Sequence, residues 1–154
     1  MLEAARWAPS CYNEQPWAFA YTVSEADRAM FASALYEQNQ VWAAKAPLLM
    51  YLVVSDRFKM NGKENTFAQL DAGAAWISLA FEARKLGIYT HGMAGYYPDK
   101  AAKILGVNTQ THTVALAIAA GHIGDKDSLP EALAKIEYPN ERKRLSEMTW
   151  PIPR

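Results

Sequence analysis

Residues 8–17 read Ala8-Pro9-Ser10-Cys11-Tyr12-Asn13-Glu14-Gln15-Pro16-Trp17, and their punctuation organises the first third of the chain. Leu2 to Ala8 are good helix formers, and a proline has no N–H to continue their ladder, so a helix ends just before Pro9. Ser10, Asn13 and Pro16 then make a polar, turn-rich loop. Trp17 to Val23 alternates aromatic and small residues as a strand does. Ser24 with Asp27 three positions on matches a capping box, which predicts a helix running to about Tyr36. By itself the segment Pro9 to Trp17 reads as an ordinary connection from helix to strand.

Working outward, Pro47 to Ser55 is dense in Leu, Tyr and Val and predicts a strand buried on both faces, followed by a polar loop from Asp56 to Glu64. Phe67, Leu70, Ala74, Ile77 and Phe81 recur at helical spacing, so the longest helix is expected over Asn65 to Leu86, with Gly87 as its cap. Its middle, Ala72-Gly73-Ala74-Ala75, carries almost no side-chain bulk. A mid-helix glycine costs about 1 kcal/mol against alanine, so a second helix is expected to pack closely there. Ile88 to Thr90 predicts a short strand and His91 to Tyr97 a glycine-containing loop. Pro98 opens a helix that Gly106 closes. Thr113 to Ala120 is the last clear strand, Pro130 to Ile136 a further helix, and Tyr138 to Arg154, with three prolines, an extended tail.

The chain has 154 residues without a linker or internal repeat, so one domain over 1–154 is expected, and at this length about 70 % of the unfolded surface can be buried. Sixteen basic and sixteen acidic side chains cancel, with no long block of one sign, which argues against nucleic acid or an anionic membrane as partner. The longest apolar run, Ala46 to Val54, is far short of the ~20 residues of a membrane helix. One cysteine excludes an intrachain disulfide, and with no signal segment at Met1 the reading is cytoplasmic. The three histidines form no recognised metal motif, so no metal is expected. The chain also has neither a dinucleotide-binding glycine fingerprint nor a P-loop.

The segment Ala8 to Trp17 resembles the first signature of the nitroreductase family, Pro-Ser-Ser-x-Asn-x-Gln-Pro-Trp after a helix end, with Cys11 in place of the second serine. The resemblance continues through Leu70-Asp71-Ala72-Gly73, Gly92-Met93-Ala94-Gly95-Tyr96, Ala119 to Gly124 and Glu141 to Glu147, in the family's order. It implies an α+β fold, a central, mostly antiparallel sheet wrapped by helices, with a long central helix at a homodimer interface and exchanged C-terminal tails. It also implies FMN at that interface. Carried over by position, Pro9, Ser10, Cys11 and Asn13 line the flavin from one subunit, Ala94 and Gly95 approach its reactive edge from the other, and Arg142 and Arg144 reach the phosphate.

Flavin brings its own redox chemistry, so such a protein needs only hydrogen-bond donors near N5 and the carbonyl edge and an open ring face. A backbone N–H near Ala94 meets the first need without an ionisable side chain, an asparagine amide meets the second, and guanidinium groups suit a phosphate. Other readings of these residues are plainer: Gly92 and Gly95 as a simple turn, and Arg142 to Arg144 as a solvated surface. Cys11 with His91, His112 or His122 as base would make a nucleophile, but no local motif supports it and packing beside the flavin is preferred. Asp71, inside an apolar helix, is expected to cap a neighbouring backbone or to pair with a basic group.

The expected activity is passage of a hydride from NAD(P)H through flavin to a small electron-poor acceptor such as a nitroarene or quinone. Alternatives in other classes are a non-catalytic flavin-binding or storage protein, or a cofactor-free dimer of the same fold; a related option is flavin degradation or reductive dehalogenation. The sequence departs from the family at its start, since the usual Arg-Arg-Ser-x-Arg phosphate-binding segment is absent. Either a preceding segment belongs to the protein, or this is a shortened member that holds flavin weakly, differently or not at all.

Overall fold

The apolar run Leu48–Ser55 forms β2, and its alternate side chains divide between two cores. Leu49, Tyr51 and Val53 pack with Phe31, Leu35, Tyr96 and Ala101 on one face, while Met50, Leu52 and Val54 pack with Ala5, Ala72, Ala75 and Leu79 on the other. A strand buried on both sides in this way needs helices above and below it. The computed structural model describes residues 1–150 and separates into two units, Met1–Ile123 and the segment from Gly124 onward.

In the first unit β1 (Trp17–Tyr21), β2, β3 (Tyr89–Met93) and β4 (His112–Gly121) form one sheet in the order β1-β2-β4-β3, every neighbouring pair antiparallel. One face carries α1 (Leu2–Arg6) and α4 (Ala68–Lys85), and the other carries α2 (Glu25–Ala32), α3 (Glu37–Ala43) and α5 (Pro98–Leu105). This is the α+β architecture that the sequence led us to expect, with the sheet antiparallel throughout. No helix among the described residues is long and apolar enough to cross a membrane.

The local signals act as read at several termini. Ser24 Oγ accepts the Asp27 N–H at 3.1 Å and the Asp27 carboxylate accepts the Ser24 N–H at 2.9 Å, completing the capping box that opens α2. Pro98 occupies the first turn of α5, and Gly106 ends it with φ 66°, a left-handed conformation suited to glycine.

Three expectations are corrected in this unit. The helix from Ser24 stops at Ala32 instead of Tyr36, and a separate α3 follows. The break has tertiary causes: the Tyr36 N–H donates to Gly95 O at 2.9 Å and the Tyr97 N–H to Ala34 O at 2.8 Å. β3 runs on to Met93, so Gly92 lies in a strand, where an added Cβ would stand 3.1 Å from Leu116. On α4 the stripe Phe67, Leu70, Ile77 and Phe81 is exposed, and the face turned to the sheet is Ala68, Asp71, Ala72, Ala75, Leu79 and Ala83. Small side chains let the helix axis approach the strands closely, which explains why alanines take the inner face.

The second unit contains α6 (Glu131–Ala134), shorter than the helix expected over Pro130 to Ile136, and single 3-10 turns at Lys126–Ser128 and Leu145–Glu147. None of its described residues is buried, and Ile136, Tyr138, Leu145, Met148 and Trp150 are exposed. The last four residues of the expected tail lie outside the described range.

Candidate functional site

Two connections carry the sequence-derived candidates of the first unit. The first runs from Pro9 to Pro16 between α1 and β1. Ser10 is extended, Cys11–Asn13 make one 3-10 turn, and Tyr12, Asn13 and Gln15 have φ of 53°, 56° and 48°. Asparagine tolerates this left-handed region, but tyrosine and glutamine pay of order 1–3 kcal/mol each for it, so the surroundings must impose it.

The ties are visible. The Cys11 N–H donates to Asp71 Oδ2 on α4 at 3.0 Å, the Gln15 N–H to Ser10 Oγ at 3.0 Å, and the Ser55 N–H to Pro16 O at 2.7 Å. Gln15 Nε2 donates to Asn13 O at 3.0 Å and to Asn13 Oδ1 at 3.2 Å. The Glu14 carboxylate accepts the Lys59 N–H, and the Tyr12 ring meets Phe58 edge-on at 6.1 Å. The Asn13 amide nitrogen makes no hydrogen bond among the described residues and faces solvent. The end of the loop, Gln15 and Pro16, lines an open depression of about 170 Å³ together with Trp17, Lys59 and His112 among others.

The second connection, Ala94 to Tyr97, joins β3 to α5. Gly95 O accepts both the Tyr36 N–H and Asn39 Nδ2, each at 2.9 Å. The backbone N–H groups of Ala94 and Gly95 find no acceptor among the described residues. Tyr97 meets Tyr36 edge-on at 4.7 Å and donates to the Glu37 carboxylate, a bond that raises the Tyr97 hydroxyl above the ordinary phenol range. Burial does the same to Tyr96, whose hydroxyl donates to Val114 O.

Strand directions relate the two connections. β1 begins, and β3 ends, at the same end of the sheet, but on its two opposite edges. Three interstrand steps separate them, about 14 Å. Within one chain the structure therefore brings Pro9, Ser10, Cys11 and Asn13 together, and Ala94 with Gly95, but does not merge the two groups. Arg142 and Arg144 belong to the second unit, where Arg142 Nη1 donates to Asn140 O at 3.2 Å and Glu147 accepts the Arg144 N–H at 3.3 Å.

The histidines are engaged away from Cys11: His91 against Trp42 at 4.8 Å, His112 with Thr111 Oγ1 at 2.9 Å and His122 with Gly87 O at 3.2 Å. Sequence reasoning missed Tyr36 and Asn39, because it assigned no element between Tyr36 and Pro47, where α3 carries Asn39. Asp71 does cap a backbone, as one of its two expected roles had it.

Two solved structures share the architecture. A nitroreductase family protein from Streptococcus pneumoniae aligns at TM-score 0.76 and 19 % identity over 98 % of this chain and 86 % of its own. A candidate nitroreductase from Exiguobacterium sibiricum, solved in complex with FMN, aligns at 0.78 and 22 % over 97 % and 83 %. A third, an oxidoreductase containing FMN, reaches TM-score 0.89 and 38 % identity over 97 % of this chain and 77 % of that one. The chain is a relative of that FMN-containing oxidoreductase and has the fold of nitroreductase family proteins. A further relative, an uncharacterized 15.4 kDa protein of Mycolicibacterium smegmatis, is 32 % identical over 108 residues, 70 % of this chain and 71 % of the relative. No family model matches the chain.

Proposed function

We propose that this protein is an FMN-dependent oxidoreductase that works as a homodimer, taking a hydride from NAD(P)H and passing electrons to a small electron-poor acceptor such as a nitroarene or quinone. The observation that carries the reading is the pair of donor-bearing connections at one end of the sheet on opposite edges. One holds a free asparagine amide and the other two free backbone N–H groups, a donor set that fits a flavin's carbonyl edge and N5.

When bound, FMN supplies the hydride and electron chemistry. The residues of the chain bind and orient. Asn13, presented by a left-handed loop, donates to the pyrimidine edge, with Pro9, Ser10 and Cys11 packing beside the ring. The Ala94 and Gly95 N–H groups lend partial positive charge where negative charge develops, at no cost in side-chain ordering. The separation of the two groups within one chain favours their meeting across two copies, and the exposed apolar face of α4 is the surface that a second copy would cover. Arg142 and Arg144 enter as phosphate contacts on the family resemblance alone.

Freshly purified protein should show flavin absorption bands, and added FMN should give heat in calorimetry and raise the melting temperature; no heat and no shift would reject the reading. NADPH oxidation with a quinone separates turnover from storage, since bound FMN without oxidation would favour the storage alternative.

Asn13→Gly tests the amide, because glycine adopts a φ of 56° freely and only the side chain is lost. Loss of a hydrogen bond that leaves a flavin polar atom unpaired costs roughly 1–3 kcal/mol, so NADPH oxidation should fall about tenfold or more. Cys11→Ser should cost far less, since the Cys11 contact is made by its backbone. Steady-state rates for the pair decide this, and the reverse order would point to thiol chemistry.

A further inference from the structure

We propose that Asp71 is the positioning residue of the flavin-facing loop: its buried carboxylate holds the Cys11 N–H and so fixes the left-handed backbone that presents Asn13. The proposal rests on the reading above, in which that loop faces FMN.

Asp71 is 7 % exposed, and a carboxylate at that depth is costly without a partner. No cation pairs with it among the described residues, and the bond it does make reaches across 60 positions of sequence to a single backbone amide at 3.0 Å. It stands in the first turn of α4, an 18-residue helix whose positive end favours an anion there. A charged acceptor is therefore held in place by the helix and spent on the loop.

The loop needs such a clamp. Cys11 immediately precedes Tyr12 and Asn13, two residues in the left-handed region, and neither is glycine. The downstream end is fixed by Ser10 Oγ on the Gln15 N–H and by Pro16 O on the Ser55 N–H. Upstream, the Asp71 carboxylate is the side-chain acceptor that engages the turn. Ala5 of α1 and Ala8 just after it are buried in one cluster with Ala68 and Ala72 of α4, so the clamp sits on a packed base. The opposite face of α4 is the exposed apolar stripe, which places the loop's anchor on the helix that a second copy would cover.

The test compares Asp71→Ala and Asp71→Asn with the wild type in two measurements: amide hydrogen exchange at Cys11 in flavin-free protein, and FMN affinity by calorimetry. In the wild type the Cys11 amide should exchange slowly. Asp71→Ala should speed exchange at Cys11 to Gln15 without speeding it in the sheet, and should weaken FMN binding on the order of ten- to a hundredfold. Asp71→Asn keeps a carbonyl acceptor at the same place and should recover most of both.

Fast Cys11 exchange in the wild type overturns the proposal, as does an alanine variant with wild-type affinity or one whose exchange rises everywhere alike. An asparagine variant as impaired as alanine overturns it too. Should Asp71→Ala not fold, wild-type exchange and the asparagine variant still decide. If the wild type binds no FMN, the functional reading fails, and Cys11 exchange alone decides whether Asp71 fixes the loop.

Discussion

Gly95→Val is expected to remove nearly all NADPH oxidation while leaving the sheet folded. A Cβ at Gly95 would stand 2.5 Å from Asn39 Nδ2 and 3.3 Å from Tyr36 Cδ2, so even the first added carbon has no room. The Asn39 amide moves aside only by giving up its bond to Gly95 O, the oxygen to which the Tyr36 N–H also donates. The φ of Gly95 lies outside the left-handed region, so glycine is required here by space and not by backbone conformation.

Overpacking of this kind costs typically about 1–3 kcal/mol, and each displaced hydrogen bond about 1 kcal/mol more. Because the Ala94 and Gly95 donors move with the loop, most of that should appear in turnover, a tenfold loss for each ~1.4 kcal/mol. Steady-state oxidation with a quinone acceptor, beside circular dichroism for the fold, measures it. Asn39→Ala combined with Gly95→Ala should restore room and part of the rate. A Gly95→Val protein with the wild-type rate would remove this loop from the site.

The legibility of this chain divides along a physical line. Signals that act within a few residues were readable: Ser24 with Asp27, Pro98 with Gly106, the β2 run and the stop at Pro9 each depend on neighbours close in sequence. Features set by distant partners were not. The break between α2 and α3 contains neither glycine nor proline, and is made by hydrogen bonds to Gly95 and Tyr97 some 60 residues on. That α4 is a helix followed from its period. Which side faces the sheet did not, because both sides are apolar and close packing selects alanine over Leu and Phe.

The site divides likewise. Pro9 to Asn13 and Gly95 could be marked as candidates from the family resemblance, but the spatial reason for Gly95 is Asn39, and the clamp on Cys11 is a carboxylate 60 positions away.

Gly73→Leu is expected to dissociate the protein into monomers without unfolding them. The sequence alone suggested that dimer and fold would weaken together, since a mid-helix glycine implied close packing. In the folded chain, however, nothing lies within 4 Å of where a Gly73 Cβ would stand, so the protomer accepts leucine, and replacing a helical glycine gains up to about 1 kcal/mol.

In the proposed dimer the cost falls on the second copy. Gly73 lies close to the face on which Leu70 is 70 % exposed and Phe81 66 %, flanked by Phe67 and Ile77, which is more contiguous apolar surface than a helix of a monomer usually shows to water. A two-fold interface meets every substitution twice. If the two α4 helices approach at Gly73, leucine there forces them apart, and Leu70→Glu with Phe81→Glu would bury four carboxylates without partners, several kcal/mol each.

At about 1.4 kcal/mol per tenfold, either variant should move a nanomolar dimer beyond micromolar. Light scattering at micromolar concentration should give twice the chain mass for the wild type and the chain mass for the variants, with melting of the variant chains still cooperative. Since the Asn13 and Gly95 donors are proposed to meet only across two copies, FMN binding should be lost in step with the dimer. A variant monomer that kept wild-type FMN affinity would show that one chain assembles the site by itself, and a wild type that runs as a monomer would leave the apolar face of α4 without its proposed partner.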